Sequence, residues 1–339
     1  MDITSFSDEQ LAGQRLMAGF EGTRLNRELE FLIDEIKLGG IILFTRNIIN
    51  PRQIKRLCLS VQEFAVSCGQ PPLFIAIDQE GGQVARLKEP FTQFPGNPQM
   101  KGLKDAENYA RTAAAELTEV GINMNLAPVL DIAFNGPISI MSDRAFGHEP
   151  TWVSNLGAAV IEHLQQNGIM SVAKHFPGIG RTTLDSHLDM PALDIDANTL
   201  WATDLLPFEA AIQRQVAGIM LSHILYQKLD PQWPASLSPL IAGDLLRNRL
   251  GFDGVVLTDD LDMGAIKKHY DLKTVVRQIL SADIDISLIC HSRMDIEQAF
   301  KEILNAQAGS QSMQIKGAES AGRILKLKSK FLRLTHSRP

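Results

Sequence analysis

Short apolar runs alternate with longer stretches of helical period along the whole chain. The runs are LMAGF (16–20), GGIILFT (39–45), PLFIAID (72–78), INMNLAPVLDI (122–132), IMSVAKHF (169–176), AGIMLSHI (217–224), GVVLTDD (254–260) and IDISLIC (284–290). They are rich in Ile, Val and Leu without strict alternation, which suits strands covered on both faces of a parallel sheet. Between them, apolar spacing and caps predict helices over 51–66, 104–119, 151–166, 198–214, 237–249, 262–280, 294–306 and 314–333. Pro51 and Pro239 stand where a first helical turn tolerates proline. Eight strand–helix units argue for closure into a single (β/α)8 barrel, an α/β fold of the TIM type. No Pro/Gly/Ser-rich linker divides the chain, so one domain over residues 1–339 is expected.

In such a barrel the chemistry sits at the C-terminal mouth, so the residues on which each run ends are the informative ones. The third run ends in Asp78, the fourth reaches Asp131, the fifth ends in Lys174-His175, the sixth in Ser222-His223 and the seventh in Asp259-Asp260. Any one aspartate there also fits a helix cap, but five reactive endings are harder to assign to capping alone. Adjacent carboxylates repel, so Asp259 and Asp260 are expected to take separate partners, one in the mouth and one capping the next helix. Arg86, Arg144 and Lys174 fall in mouth loops or at a strand end. Cations fixed there would hold substrate hydroxyls and keep an aspartate ionised, although each also fits an ordinary salt bridge.

Two glycine-bearing loops follow strand ends, IDQEGGQVARL (77–87) and HFPGIGRTTLDSHLDMP (175–191). Neither is a phosphate cradle by pattern, since GxxxxGK[ST] is absent and GIG does not open a helix. The second loop is longer than a usual connection after a strand, as lids often are. It carries Asp185-Ser186-His187, in which an aspartate two residues from a histidine can fix the imidazole tautomer and make a general acid/base. Spacing alone fits better an exposed loop histidine beside a turn-forming aspartate.

Composition narrows the function classes. Of 339 residues, 45% are hydrophobic and 21% charged, ordinary for a globular chain, and the net charge of -6 offers no broad basic surface. Neither nucleic acid nor membrane is an expected partner. The basic final helix, with Lys326, Lys328 and Lys330, reads as a solvated face. MDITSFSDEQ lacks the pattern of a secretory signal and no run of eighteen apolar residues occurs, so a cytoplasmic protein is expected. Cys58, Cys68 and Cys290 show no CxxC spacing and are expected to be reduced and structural. Without HxH or HExxH, neither a metal nor another cofactor is expected.

The segments GGIILFTRNI, IDQEGGQVARL, NLAPVLDI, SDRAFG, AKHFPGIGRTTLDSH and FDGVVLTDDLDM occur in this order over residues 39–263. With them the chain resembles glycoside hydrolase family 3, and specifically its bacterial β-N-acetylglucosaminidase (β-N-acetylhexosaminidase) branch. The resemblance implies a retaining exo-enzyme that removes terminal, non-reducing β-linked N-acetylglucosamine through a covalent glycosyl-enzyme. It implies Asp259 as nucleophile, His187 as acid/base and Asp185 as its orienting partner. Asp78, Arg86, Arg144, Lys174 and His175 would grip the sugar. Successive strand side chains face opposite ways, so Lys174 and His175 reach one pocket only if the strand end departs from regular geometry. The expected partner is a small carbohydrate or muropeptide, as in peptidoglycan recycling, and a monomer is expected. A glycoside phosphorylase and a catalytically silent sugar-binding barrel stay open. The family commonly has His where this chain has Ile179 and Arg where it has Gln83, so loop packing and pocket polarity are expected to differ there.

Overall fold

The structure is a computed structural model that describes residues 6–134 and 139–332. All eight predicted strands are present: β1 (Leu16–Ala18), β2 (Gly40–Leu43), β3 (Phe74–Ile77), β4 (Met124–Asn125), β5 (Met170–Phe176), β6 (Gly218–Leu221), β7 (Val255–Asp260) and β8 (Ile286–Ile289). They pair in parallel in chain order and β8 closes onto β1, making a complete barrel. Strand β4 is far shorter than its run because Pro128 has no N–H for the ladder; only an isolated bridge from Val129 to Lys174 carries the pairing on. Two short pairs lie outside the barrel, Gln79–Gly81 with Val84–Ala85 and Ala192–Leu193 with Leu225–Tyr226.

The helices differ from their predicted spans where polar residues interrupt the pattern. The 198–214 stretch is two helices, Ala197–Ala202 and Leu206–Gln213, with Pro207 in the first turn of the second. The 262–280 stretch is also two, Gly264–Lys267 and Leu272–Ser281; the second starts at Asp271, whose side chain accepts from Thr274 N at 2.9 Å. Pro239–Arg249 is a π-helix. Two helices were not legible, Asp8–Gly13 and Arg27–Asp34, and the second buries only Leu29, Leu32 and Ile33. The final helix runs Gln311–Phe331, and residue 333 of its predicted span lies outside the described residues.

The core has two layers. One fills the space between strands and helices, and the other fills the barrel, where Phe74, Ala76, Met170, Val172, Val255 and Leu257 meet. Ile75, Ile77, Ala173 and Val256 belong instead to the outer layer, so the strands alternate inward and outward with a period of two. Ile324 and Leu327 of the final helix join the inner layer and close the bottom of the barrel. This corrects the reading of that helix as a solvated basic face. Lys326 and Lys330 are exposed, but Lys328 is wholly buried, with Nζ donating to Gln14 Oε1 at 2.6 Å and lying 4.9 Å from the Phe74 ring centre. Among the described residues no helix is long and apolar enough to cross a membrane.

Candidate active site

The inward alternation that fills the barrel runs on into its mouth. On β3 the inward series Phe74, Ala76 continues to Asp78; on β5, Met170 and Val172 lead to Lys174; on β7, Val255 and Leu257 lead to Asp259. Three of the sequence-derived site residues therefore share the direction of the core side chains beneath them. Lys174 Nζ stands 2.7 Å from both Asp78 Oδ1 and Glu80 Oε1, tying the end of β5 to the segment after β3.

The loop after β3 folds back because Gly81 and Gly82 take positive φ, +91° and +60°, which other residues rarely adopt. Gln79 Oε1 then accepts from the backbone N–H groups of Arg86 and Leu87, at 2.9 and 3.0 Å. That return brings Arg86 back to Asp78, which accepts from its guanidinium at 3.0 Å. The Nε of Arg86 is buried without a hydrogen-bond partner among the described residues. Arg144 donates two bonds to Glu80, 2.8 Å to Oε1 and 3.1 Å to Oε2. Burial alone would raise the carboxyls of Asp78 and Glu80. The Lys174 ammonium and the neighbouring guanidinium overcome this and hold both below the ordinary carboxylate value. Burial likewise opposes charge on Lys174, but Asp78 and Glu80 push it up.

His175 does reach the same region as Lys174. Its Nδ1 pairs with Asp131 Oδ2 at 2.7 Å, and Asp131 Oδ1 accepts from Ile179 N at 2.8 Å. The strand departs from regular geometry there, as expected: register against β6 shifts between Lys174 and Phe176, and the Lys174–His175 peptide is cis.

Asp259 faces the mouth as expected, but Asp260 does not take the expected role of helix cap. Asp259 Oδ1 accepts from the Asp260 N–H at 2.8 Å. Asp260 caps no helix: the helix that follows begins after Met263 without a side-chain cap. Instead Asp260 Oδ1 accepts from Asp262 N at 3.0 Å and Cys290 N at 3.1 Å, where the β7–β8 register shifts. Burial opposes charge on Asp259, yet the His175 imidazole, the Asp260 N–H and Lys174 together hold it below its ordinary value. Burial and the nearby carboxylates of Asp262 and Asp259 push Asp260 the other way, to about 6. One carboxylate of the pair is thus held in its charged form, while the other keeps its proton to a higher pH than usual.

Asp185 and His187 stand on the loop between β5 and Ala192–Leu193. His187 Nδ1 pairs with Asp185 Oδ1 at 2.8 Å, and the same oxygen accepts from His187 N at 2.9 Å. Burial works against the charge of Asp185, but these bonds from His187 outweigh it and hold the carboxyl low. A charged Asp185 accepts from Nδ1–H, which leaves Nε2 of His187 for proton exchange with a ligand. The carbonyls of His187 and Ser186 accept from Gly264 N and Ala265 N, just beyond β7, so the loop lies beside the mouth.

Sequence reasoning gave no role to three residues of this cluster. Glu80 bridges Lys174 and Arg144; it lies two positions beyond Asp78 on an extended segment, and that spacing was the available signal. Asp131 was noted as a strand end without a partner, and its partner is His175. His223 gives both ring nitrogens away: Nε2–H donates to the Asp260 carbonyl at 2.9 Å, and Nδ1 accepts from the Ser236 hydroxyl at 2.6 Å. Burial lowers its pKa, and these two bonds fix it beneath the end of the strand that carries Asp259. Of the two departures, Ile179 is buried and Gln83 is exposed. Among the described residues no group of three or more His, Cys, Asp or Glu is arranged to hold a metal ion.

Comparison with known proteins fits this geometry. Residues 8–327 match the model of the glycosyl hydrolase family 3 N-terminal domain. A β-hexosaminidase A of Pseudoalteromonas piscicida is 36% identical over 95% of this chain and 61% of its own length. A β-hexosaminidase of Alkalilimnicola ehrlichii is 35% identical over 81% of this chain and 80% of its own. The solved family 3 β-N-acetylglucosaminidase of Paenibacillus sp. superposes with a TM-score of 0.92 at 36% identity, covering 96% of this chain and 63% of that one. The β-N-acetylhexosaminidase of Beutenbergia cavernae gives 0.88 at 28% identity, over 96% and 99%. The chain thus spans about three-fifths of the Pseudoalteromonas and Paenibacillus proteins and nearly all of the Beutenbergia one. With a family match over nearly its whole described length and a closed barrel carrying the expected strand-end residues, the chain belongs to glycoside hydrolase family 3.

Proposed function

We propose that this chain is a retaining exo-β-N-acetylglucosaminidase. The observation that carries the reading is Asp259, a half-buried, inward-facing carboxylate held in its charged form, with the Asp185–His187 loop bonded to the chain just beyond its strand. Asp259 attacks the anomeric carbon while Nε2–H of His187 protonates the departing glycosidic oxygen, giving a glycosyl-enzyme. The now neutral His187 takes a proton from water, which attacks the anomeric carbon and frees Asp259. Asp185 fixes the tautomer throughout. Asp78, Arg86, Arg144, Lys174 and His175 hold the sugar, with Glu80 fixing two of those cations.

The β-hexosaminidase and β-N-acetylglucosaminidase names of the relatives support N-acetylglucosamine as the sugar. Cell-wall fragments, processed in the cytoplasm by a monomer, are the substrates we favour. The test is release of a chromophore from an aryl β-N-acetylglucosaminide. Asp259→Ala is expected to lower turnover at least a thousandfold while leaving the fold intact. Full turnover by that variant, or strong preference for a β-glucoside, contradicts the proposal. One feature favours phosphorolysis as a second reading: the loop group is an imidazole, which does not repel an incoming phosphate as a carboxylate would. Sugar 1-phosphate among the products at high phosphate would decide for it.

A further inference from the structure

The Asp185–His187 loop does not hang free. Just beyond β7, the strand that carries Asp259, the short helix Gly264–Lys267 and the residues after it receive the loop at four points. Gly264 N donates to the His187 carbonyl at 3.2 Å, and Ala265 N donates to the Ser186 carbonyl at 3.0 Å. Lys268 Nζ donates to the Leu188 carbonyl at 2.6 Å. Asp189 Oδ1 pairs with His269 Nε2, also at 2.6 Å. A Cβ at position 264 would lie 2.6 Å from the His187 oxygen and 2.7 Å from the Leu188 oxygen, so only glycine permits so close an approach.

We infer that residues 264–269 are the seat of the acid/base loop, and that His269 and Asp189 are positioning residues which hold His187 over the mouth for reaction. This rests on the proposed role of His187. The two backbone bonds fix the main chain of Ser186 and His187 directly. Beyond them, the Asp189–His269 and Lys268–Leu188 contacts hold the stretch between His187 and Pro191, whose carbonyl accepts from Leu225 N at 3.0 Å. Because the seat begins five residues after Asp259, one stretch of chain carries the nucleophile and sets the height of the acid/base above it. The side chains of Asp189 and His269 are both about half exposed, so replacing either removes a tether without opening the core.

The experiment compares the wild-type chain with His269→Ala, Asp189→Ala, the double variant and His269→Gln, which keeps a neutral donor. With an aryl β-N-acetylglucosaminide, departure of the leaving group needs little acid help, whereas hydrolysis of the glycosyl-enzyme needs His187 as base. The alanine variants are therefore expected to lose roughly ten- to a hundredfold in kcat with kcat/KM almost unchanged. With an N-acetylglucosamine disaccharide, whose leaving group does need the acid, kcat/KM should fall as well. The double variant should be no worse than either single one, and His269→Gln should recover most of the loss. Hydrogen exchange over 184–190 should be faster in His269→Ala.

Wild-type kcat in the alanine variants overturns the inference, as does a raised kcat, which would make the tether a hold on an unproductive loop. An equal loss of kcat and kcat/KM on the aryl substrate, or unchanged loop exchange, also overturns it. A wild-type chain inactive on N-acetylglucosaminides is a different failure, that of the proposed function.

Discussion

Lys174, Asp78 and Glu80 are fixed at strand ends, and the side chains of Lys174 and Glu80 are 3% and 2% exposed; Asp185 and His187 ride a loop with 51% and 69% of theirs in water. The difference follows from what each half has to do. The strand half presents three cations against the two carboxylates of Asp78 and Glu80, leaving one positive charge that Asp259 balances. Removing such charges from water is tolerable only when partners are fixed in good geometry, and the barrel rim supplies that rigidity. A field organised in advance also avoids reorganisation when the substrate reacts. On the proposed mechanism the loop half gives and takes a proton on each turnover and lets product out, which a buried ion pair does poorly. Its anchorage on residues 264–269 is correspondingly light: two backbone bonds, one lysine contact and one aspartate–histidine pair.

Substitutions in the two halves should therefore fail differently. Lys174→Met removes the cation shared by Asp78 and Glu80, which keep Arg86 and Arg144. Breaking a buried pair outright costs about 3–5 kcal/mol, so with the arginines in place the loss should lie near or below the lower end, and thermal and denaturant midpoints should fall along with turnover. A variant as stable as the wild type would mean that the strand-end cluster is not the rigid half. His187→Ala removes a mostly exposed ring, and stability should stay within about 0.5 kcal/mol of wild type. Its kcat should fall roughly a hundred- to ten-thousandfold on substrates with poor leaving groups, and the glycosyl-enzyme should accumulate with aryl substrates. Equal loss of stability in the two variants would erase the distinction.

The same contrast explains what the sequence could tell. Apolar runs and helical periods report burial, so all eight strands were legible, and the period of two carried Asp78, Lys174 and Asp259 into the mouth. Where polar groups decide the backbone, the pattern failed. The helix over 262–280 breaks at His269–Asp271 because Asp271 starts a new helix, and His269 there meets the loop. Glu80 and the Asp131–His175 pair depend on contacts between distant segments that no local spacing records. Lys328 looked solvated because its neighbours are; only closure of the barrel by the last helix buries it. Asp185 and His187 were separable from an ordinary turn only by the order of the surrounding motifs.

A smaller effect sharpens the contrast within the rigid half, where Asp259 and Asp260 are adjacent but driven apart. Burial, with Asp262 and Asp259 close by, raises Asp260 to about 6, well above the value near 4 of an unfolded aspartate. The folded state therefore binds this proton more tightly than the unfolded chain. The stability it contributes is complete below about pH 4 and is lost as the pH rises through about 6. Asp260→Asn keeps an oxygen to accept from Asp262 and Cys290 and removes the charge. The variant should melt about one to three degrees above wild type near pH 7.5, with the difference vanishing near pH 4. A gain of the same size at both pH values would trace it to packing, and Asp259 would then owe its charged state to His175 and the Asp260 N–H without a protonated neighbour beside it.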